Sequence, residues 1–128
     1  PIMSGVSKET DIYFNNSPVF KTKDGFQGSV LVSYPDTSNI LRSGYLTGED
    51  YLRGNAAALQ VKQGKGNIVL FGFSPQWRGQ TFGTFKMLFN SFYFNFKAIF
   101  FNNKYFLKNI ILFNEKILYS KPLYNHFS

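Results

Sequence analysis

The most constraining feature of this chain is the apolar run at residues 67–73, NIVLFGF. Seven residues rich in β-branched and aromatic side chains, with no polar alternation, suit a strand buried on both faces. Such a strand needs covering layers, so the rest of the chain must supply more sheet and at least one helix. Just before it stands Gln63-Gly64-Lys65-Gly66, whose glycines can adopt the positive φ of a tight hairpin. Residues 56–61 (AAALQV) lead into that turn and are read as the partner strand, although Ala and Leu favour helix. After the run, Pro75 breaks the strand and Gly79 ends a polar loop at residues 74–80 (SPQWRGQ). Thr81 then offers a cap, and Phe82, Phe85, Leu88 and Phe89 fall on one side of an amphipathic helix expected to face the sheet.

Earlier segments read as sheet and loop. Residues 1–10 are a turn-rich connection. Ile12, Tyr13 and Phe14 are expected as a short strand, and Pro18 confines Val19 and Phe20 to an edge or a loop. Residues 29–34 (SVLVSY) alternate and form a strand. One helical turn is expected at 39–42, and a short helical piece at Tyr51 and Leu52 with Thr47 as its N-cap. The expected fold class is α/β: a partial mixed sheet with a terminal β-hairpin and a closing amphipathic helix, then an irregular or partly helical tail.

That tail is compositionally distinct. The chain has 128 residues and 16 Phe, half of them after Asn90. Beyond residue 90 almost every residue is Phe, Tyr, Asn, Lys, Ile, Leu or Ser, without a steady period. Two domains of sequence are therefore drawn, 1–93 and a low-complexity Phe/Asn/Lys-rich tail at 94–128. The tail is either an extension translated past a frameshift or stop, or a genuine apolar segment with helix over about 104–119. The chain starts at Pro1 without Met and is read as a fragment or processed product.

Charge and composition exclude several chemistries. The net charge is +7, but residues 1–90 carry nine Lys/Arg against six Asp/Glu, and the rest of the excess lies in the tail. A basic aromatic tail admits a membrane- or nucleic-acid-associated reading. The near-neutral body argues against it, so no nucleic acid or membrane partner is expected. The most apolar 20-residue window, roughly Phe82 to Phe101, holds two lysines and two asparagines, costly in lipid. There is no Cys, and the one His, His126, stands in the tail, so no zinc site can be assembled from the chain. Ser74 lacks the second glycine of a nucleophile elbow. Gly64-Lys65-Gly66 precedes a strand rather than a helix and is turn chemistry, not a phosphate loop. Glu49 and Asp50 are adjacent and do not face each other on a helix.

The polar cluster placed where open sheets bind ligands, between a strand's C-terminal end and a helix, is the loop with Gln76, Trp77, Arg78 and Gln80. Arg78 could hold a carboxylate or phosphate, Trp77 could stack on it, and Gln76 and Gln80 could orient it. The plainer alternative is preferred: Arg78 ties loop carbonyls together or pairs with an acidic group on a neighbouring domain.

These residues also carry a resemblance. The elements are Ser43-Gly44-x-Leu46-x-Gly48, Gly64-Lys65-Gly66, Val69-Leu70-Phe71-Gly72-Phe73, Pro75-Gln76-x-Arg78-Gly79-Gln80 and Thr84-Phe85-Lys86-x-Leu88-Phe89-Asn90, with Asn16-Ser17-Pro18-Val19-Phe20 upstream. Together, over about residues 10–93, they resemble the extreme C-terminal region of bacterial zinc carboxypeptidase-like proteins, metallopeptidases of the carboxypeptidase A type. The resemblance implies a peptidase domain followed by a class I glutamine amidotransferase-like α/β domain that ends in this region. It implies that the zinc ligands and catalytic Glu belong to the peptidase domain, so that this chain holds no cofactor of its own. The amidotransferase Cys is absent as well. The implied role is a non-catalytic accessory piece, packing against or supporting the peptidase domain of an exported parent protein. The Phe-rich tail departs from the family pattern, whose chains stop soon after the helix. A truncated sheet would leave an unpaired edge, so self-association there is a further expectation.

Overall fold

The apolar run lies inside a sheet and has a strand on each side. A computed structural model describes residues 1–79 and 81–94, and the backbone course of 98–101 and 117–120. Its elements are β1 (Val19–Thr22), β2 (Gly28–Ser33), a short 3-10 turn (Glu49–Tyr51), β3 (Ala56–Gln63), β4 (Gly66–Phe71), α1 (Phe82–Tyr93), β5 (Ala98–Phe101) and β6 (Ile117–Ser120). The sheet is mixed: β3 pairs antiparallel with β4, β2 and β1, β1 antiparallel with β6, and β4 parallel with β5. The α/β class, the hairpin and the closing helix are thus present. Gly64 takes a φ of 58° at the hairpin, where a Cβ would be strained.

Period-two alternation on β4 divides the core between two faces. Val69 and Phe71 join Phe73, Ala57, Ala58 and Met87 on the side covered by α1. Leu70 joins Leu59, Val61 and Phe20 in a second cluster. Val69, Leu70 and Phe71 are all fully buried, as expected of a strand covered on both faces.

Several local expectations are corrected. Val19–Thr22 is not an edge: it pairs with β6 over four residues and touches β3 at Phe20 and Ala56. Pro18 stands just before the strand, so its missing N–H removes no ladder bond. Tyr13 makes only an isolated bridge to Ser74, because Asn15 and Asn16 turn the chain at once. Residues 39–42 form no helical turn. Thr47 does not cap the 3-10 turn; Gly48, at φ 80°, precedes it without a side-chain cap. The helix expected over 104–119 falls mostly outside the described residues, but 117–119 are strand, where the Ile-Leu-Tyr sequence pairs with β1. Among the described residues no helix is long and apolar enough to cross a membrane.

Helix α1 is turned differently from the expectation. Leu88 is buried as expected, but Thr84, Met87 and Ser91 share its face, Phe85 is half-buried, and Phe82 and Phe89 point outward. Side chains beside the buried face fix its rotation. Lys86 Nζ donates to the Gly5 carbonyl at 2.8 Å, and Asn90 Nδ2 donates to the Ile2 and Ser4 carbonyls at 2.8 and 2.9 Å. These bonds dock residues 1–5 along the helix and bury Ile2.

Tyr34 is buried among Phe14, Leu52 and the sheet, and its hydroxyl has no hydrogen-bond partner among the described residues. Burial pushes its phenol pKa well above the ordinary value. The neutral form is favoured in the fold, so this stabilisation is complete below pH ~10 and is lost as pH rises further, by roughly 1.4 kcal/mol per unit. Tyr34→Phe is expected to remove that alkaline loss, and at neutral pH to leave stability unchanged or higher by up to about 1 kcal/mol, since an unsatisfied hydroxyl disappears. Urea unfolding of both proteins between neutral pH and the alkaline range checks this. Parallel pH profiles would show that Tyr34 is not the titrating group.

Candidate functional site

The loop between β4 and α1 is pinned at both ends by chemistry its residues supply. Ser74 N–H donates to the Tyr13 carbonyl at 3.1 Å. The buried Thr84 Oγ1 donates to the Pro75 carbonyl at 2.6 Å. Thr81, at the N-cap position of α1, does not cap with its side chain; its Oγ1 donates to the Asp11 carbonyl at 2.6 Å. The loop is thereby tied to residues 11–13 at two points.

Between these anchors the loop projects Gln76, Trp77 and Arg78 into solvent. Tyr13 and Trp77 stack with ring centroids 5.5 Å apart and planes only 5° from parallel. The Arg78 guanidinium carbon lies 5.6 Å from the Trp77 ring centroid, within the range of a cation–π contact. Arg78 has a φ of 46° and Gly79 a φ of 77°. A left-handed backbone at a non-glycine residue costs on the order of 1 kcal/mol and persists where the surroundings enforce it. Tyr13, Trp77 and Arg78 thus make a layered platform at the rim of the sheet.

Of the four residues proposed from sequence, Trp77 and Arg78 are brought together. Gln76 is exposed and makes no hydrogen bond within the described residues, and Gln80 lies outside them. Sequence reasoning missed Tyr13, which is 64 positions from Trp77 and was assigned to a strand. No local signal links the two; the Tyr13–Ser74 bridge and the Thr81–Asp11 bond bring them together.

Arg78 has no carboxylate or hydrogen-bond partner among the described residues. Arg42 stands 3.6 Å from Asp11, but both side chains are largely exposed, so that pair contributes little.

The other clusters weighed from sequence have structural roles. Glu49 Oε1 accepts from Arg53 at 2.7 Å and from Ile40 N–H at 3.4 Å, and Arg53 donates in turn to the Asp36 and Ser38 carbonyls. This clasp holds residues 36–40 against the 3-10 turn. Asp50, fully exposed, stands 3.8 Å from Arg53 Nε, a solvent-screened pair that contributes little. Among the described residues no three His, Asp or Glu side chains converge as a metal site would require. A shallow depression of about 220 Å³ lies between β1, β2 and the start of β3, lined by Lys21, Val30 and Asn55 among others, and shares no residue with the loop.

No match was found. Neither a protein-family model, nor a curated protein, nor a solved structure is similar to the chain. The platform of Tyr13, Trp77 and Arg78 therefore rests on its own geometry.

Proposed function

We propose that this chain is a non-catalytic accessory module of a zinc carboxypeptidase-like protein, and that it docks on the peptidase domain through the Trp77–Arg78 loop. The observation that carries the reading is the Arg78 guanidinium, positioned on Trp77 and facing solvent without a carboxylate partner among the described residues. Trp, Tyr and Arg are the residue types that dominate binding energy at protein interfaces. A platform that brings Tyr13, Trp77 and Arg78 together before contact loses little entropy on docking. The motif resemblance over residues 10–93 supplies the partner, and Arg78 would pair with an acidic group on it. Zinc, in this reading, belongs to that partner.

The test is binding of the full chain to a separately produced peptidase domain of the carboxypeptidase-like type, read by surface plasmon resonance. Arg78→Ala is expected to weaken the complex by about thirtyfold, the scale of a hot-spot residue. Arg78→Lys is expected to recover only part of it, because an ammonium cannot reproduce planar stacking. Equal affinities for wild type and Arg78→Ala would remove the docking role.

The exposed guanidinium favours a second reading, a small carboxylate- or phosphate-binding module on the same platform. The chain has one Trp, so titration with citrate and with inorganic phosphate can be followed by its fluorescence. Saturable quenching that Arg78→Ala abolishes supports this reading; identical traces for both proteins sink it.

A further inference from the structure

Helix α1 has two apolar faces on opposite sides. Thr84, Met87, Leu88 and Ser91 face the sheet. At about 100° per residue, Phe82, Phe85, Phe89 and Phe92 with Tyr93 fall on the far side. Phe82 and Tyr93 are each 80% exposed, Phe89 64% and Phe92 61%. Phe82 and Phe85 already pack edge to face, with centroids 5.7 Å apart. A helix face left in water is ordinarily polar. Here the single charged residue of α1, Lys86, is bonded to the Gly5 carbonyl at the flank of the stripe.

We infer that this aromatic stripe is the surface through which two copies of the chain pair, α1 against α1 about a twofold axis. Phe82, Phe85, Phe89 and Phe92 repeat at intervals of three, four and three, the seam that packs against another helix. A second copy presents the same seam, so a twofold axis satisfies both partners with one patch. No carboxylate lies on α1, and Lys86 is held aside, so the pairing brings no charge into the centre of the contact. The area also fits. With roughly 200 Å² per aromatic side chain, the exposed fractions amount to about 550 Å² per copy. Pairing would then remove roughly 1,100 Å² from water, near the lower bound of specific interfaces. This contact is distinct from pairing of a sheet edge and does not depend on the Trp77–Arg78 loop.

Sedimentation velocity of the full chain over the micromolar range is the test. The mass is expected to rise from 14.7 kDa toward twice that value with concentration. Phe89→Lys, a change at an exposed position, is expected to remain monomeric throughout with an unchanged circular dichroism spectrum. Because the chain has no Cys, Phe89→Cys gives a clean cross-linking probe: mild oxidation should yield a covalent dimer, whereas Lys65→Cys, in the β3–β4 turn, should not. Wild type that stays monomeric across the range overturns the inference. So does a dimer that Phe89→Lys leaves intact. Arg78→Ala should pair as wild type does, which keeps this result separate from the docking reading.

Discussion

Gly72→Ala is expected to destroy or severely weaken the fold. A Cβ at Gly72 would collide with the Pro18 carbonyl oxygen and lie 2.9 Å from the Ala57 carbonyl oxygen and 3.2 Å from the Phe20 ring. The first two obstacles are main chain, and the Gly72 N–H itself donates to Ala57 at 2.7 Å. Relief requires β1 and β3 to separate where Phe20 meets Ala56. The cost is about 3 kcal/mol or more, a large share of a small domain's stability. Gly64→Ala is the useful comparison. Its φ of 58° disfavours alanine, but beyond its own chain neighbours nothing lies within 4 Å of the added carbon, so about 1 kcal/mol is expected. Urea unfolding midpoints distinguish the two; equal losses would mean that the space around Gly72 is not limiting.

Phe73→Ala should cost about 3–5 kcal/mol, the range for emptying a buried phenylalanine site. Phe73 is fully buried and packs edge to face on Phe71 with centroids 5.5 Å apart. Phe89→Ala, by contrast, should change stability by no more than about 0.5 kcal/mol when measured at concentrations too low for pairing. The contrast tests the rotation of α1 directly. If Phe89→Ala proved as damaging as Phe73→Ala, the aromatic stripe would be the core-facing side.

These two phenylalanines also show where the sequence was sufficient. Phe71 and Phe73 sit in an uninterrupted apolar run, which has few alternatives to a strand covered on both faces. The glycines of the hairpin set its start, but the strand ends at Phe71, before Gly72, rather than at the proline. For α1 the same kind of evidence misled. Spacing grouped Phe82, Phe85, Leu88 and Phe89 on one side, but of these Leu88 is buried while Phe82 and Phe89 are exposed, since periodicity alone does not say which side meets the sheet. That was decided by Lys86 and Asn90 reaching residues 2–5 and by Thr84 reaching Pro75, contacts between distant or loop residues. The candidate site divided in the same way. Trp77 and Arg78 were legible as polar residues at a strand-to-helix loop. Tyr13, which gives them a platform, was not, because nothing near it in sequence marks it as a partner of residue 77.

The bonds from Asn90 to the Ile2 and Ser4 carbonyls bear on how the chain acquires its structure. They join groups 88 and 86 positions apart, so they form only after a large loop closes. The hairpin of β3 and β4, with a turn of two residues, can form on the microsecond scale by itself. Closure of so long a loop carries a greater entropic penalty and belongs to a slower stage. During synthesis, residues 1–5 emerge before α1 and have no docking surface until it exists. A variant such as Asn90→Ala should accordingly speed unfolding more than it slows folding, the signature of a contact made after the rate-limiting step.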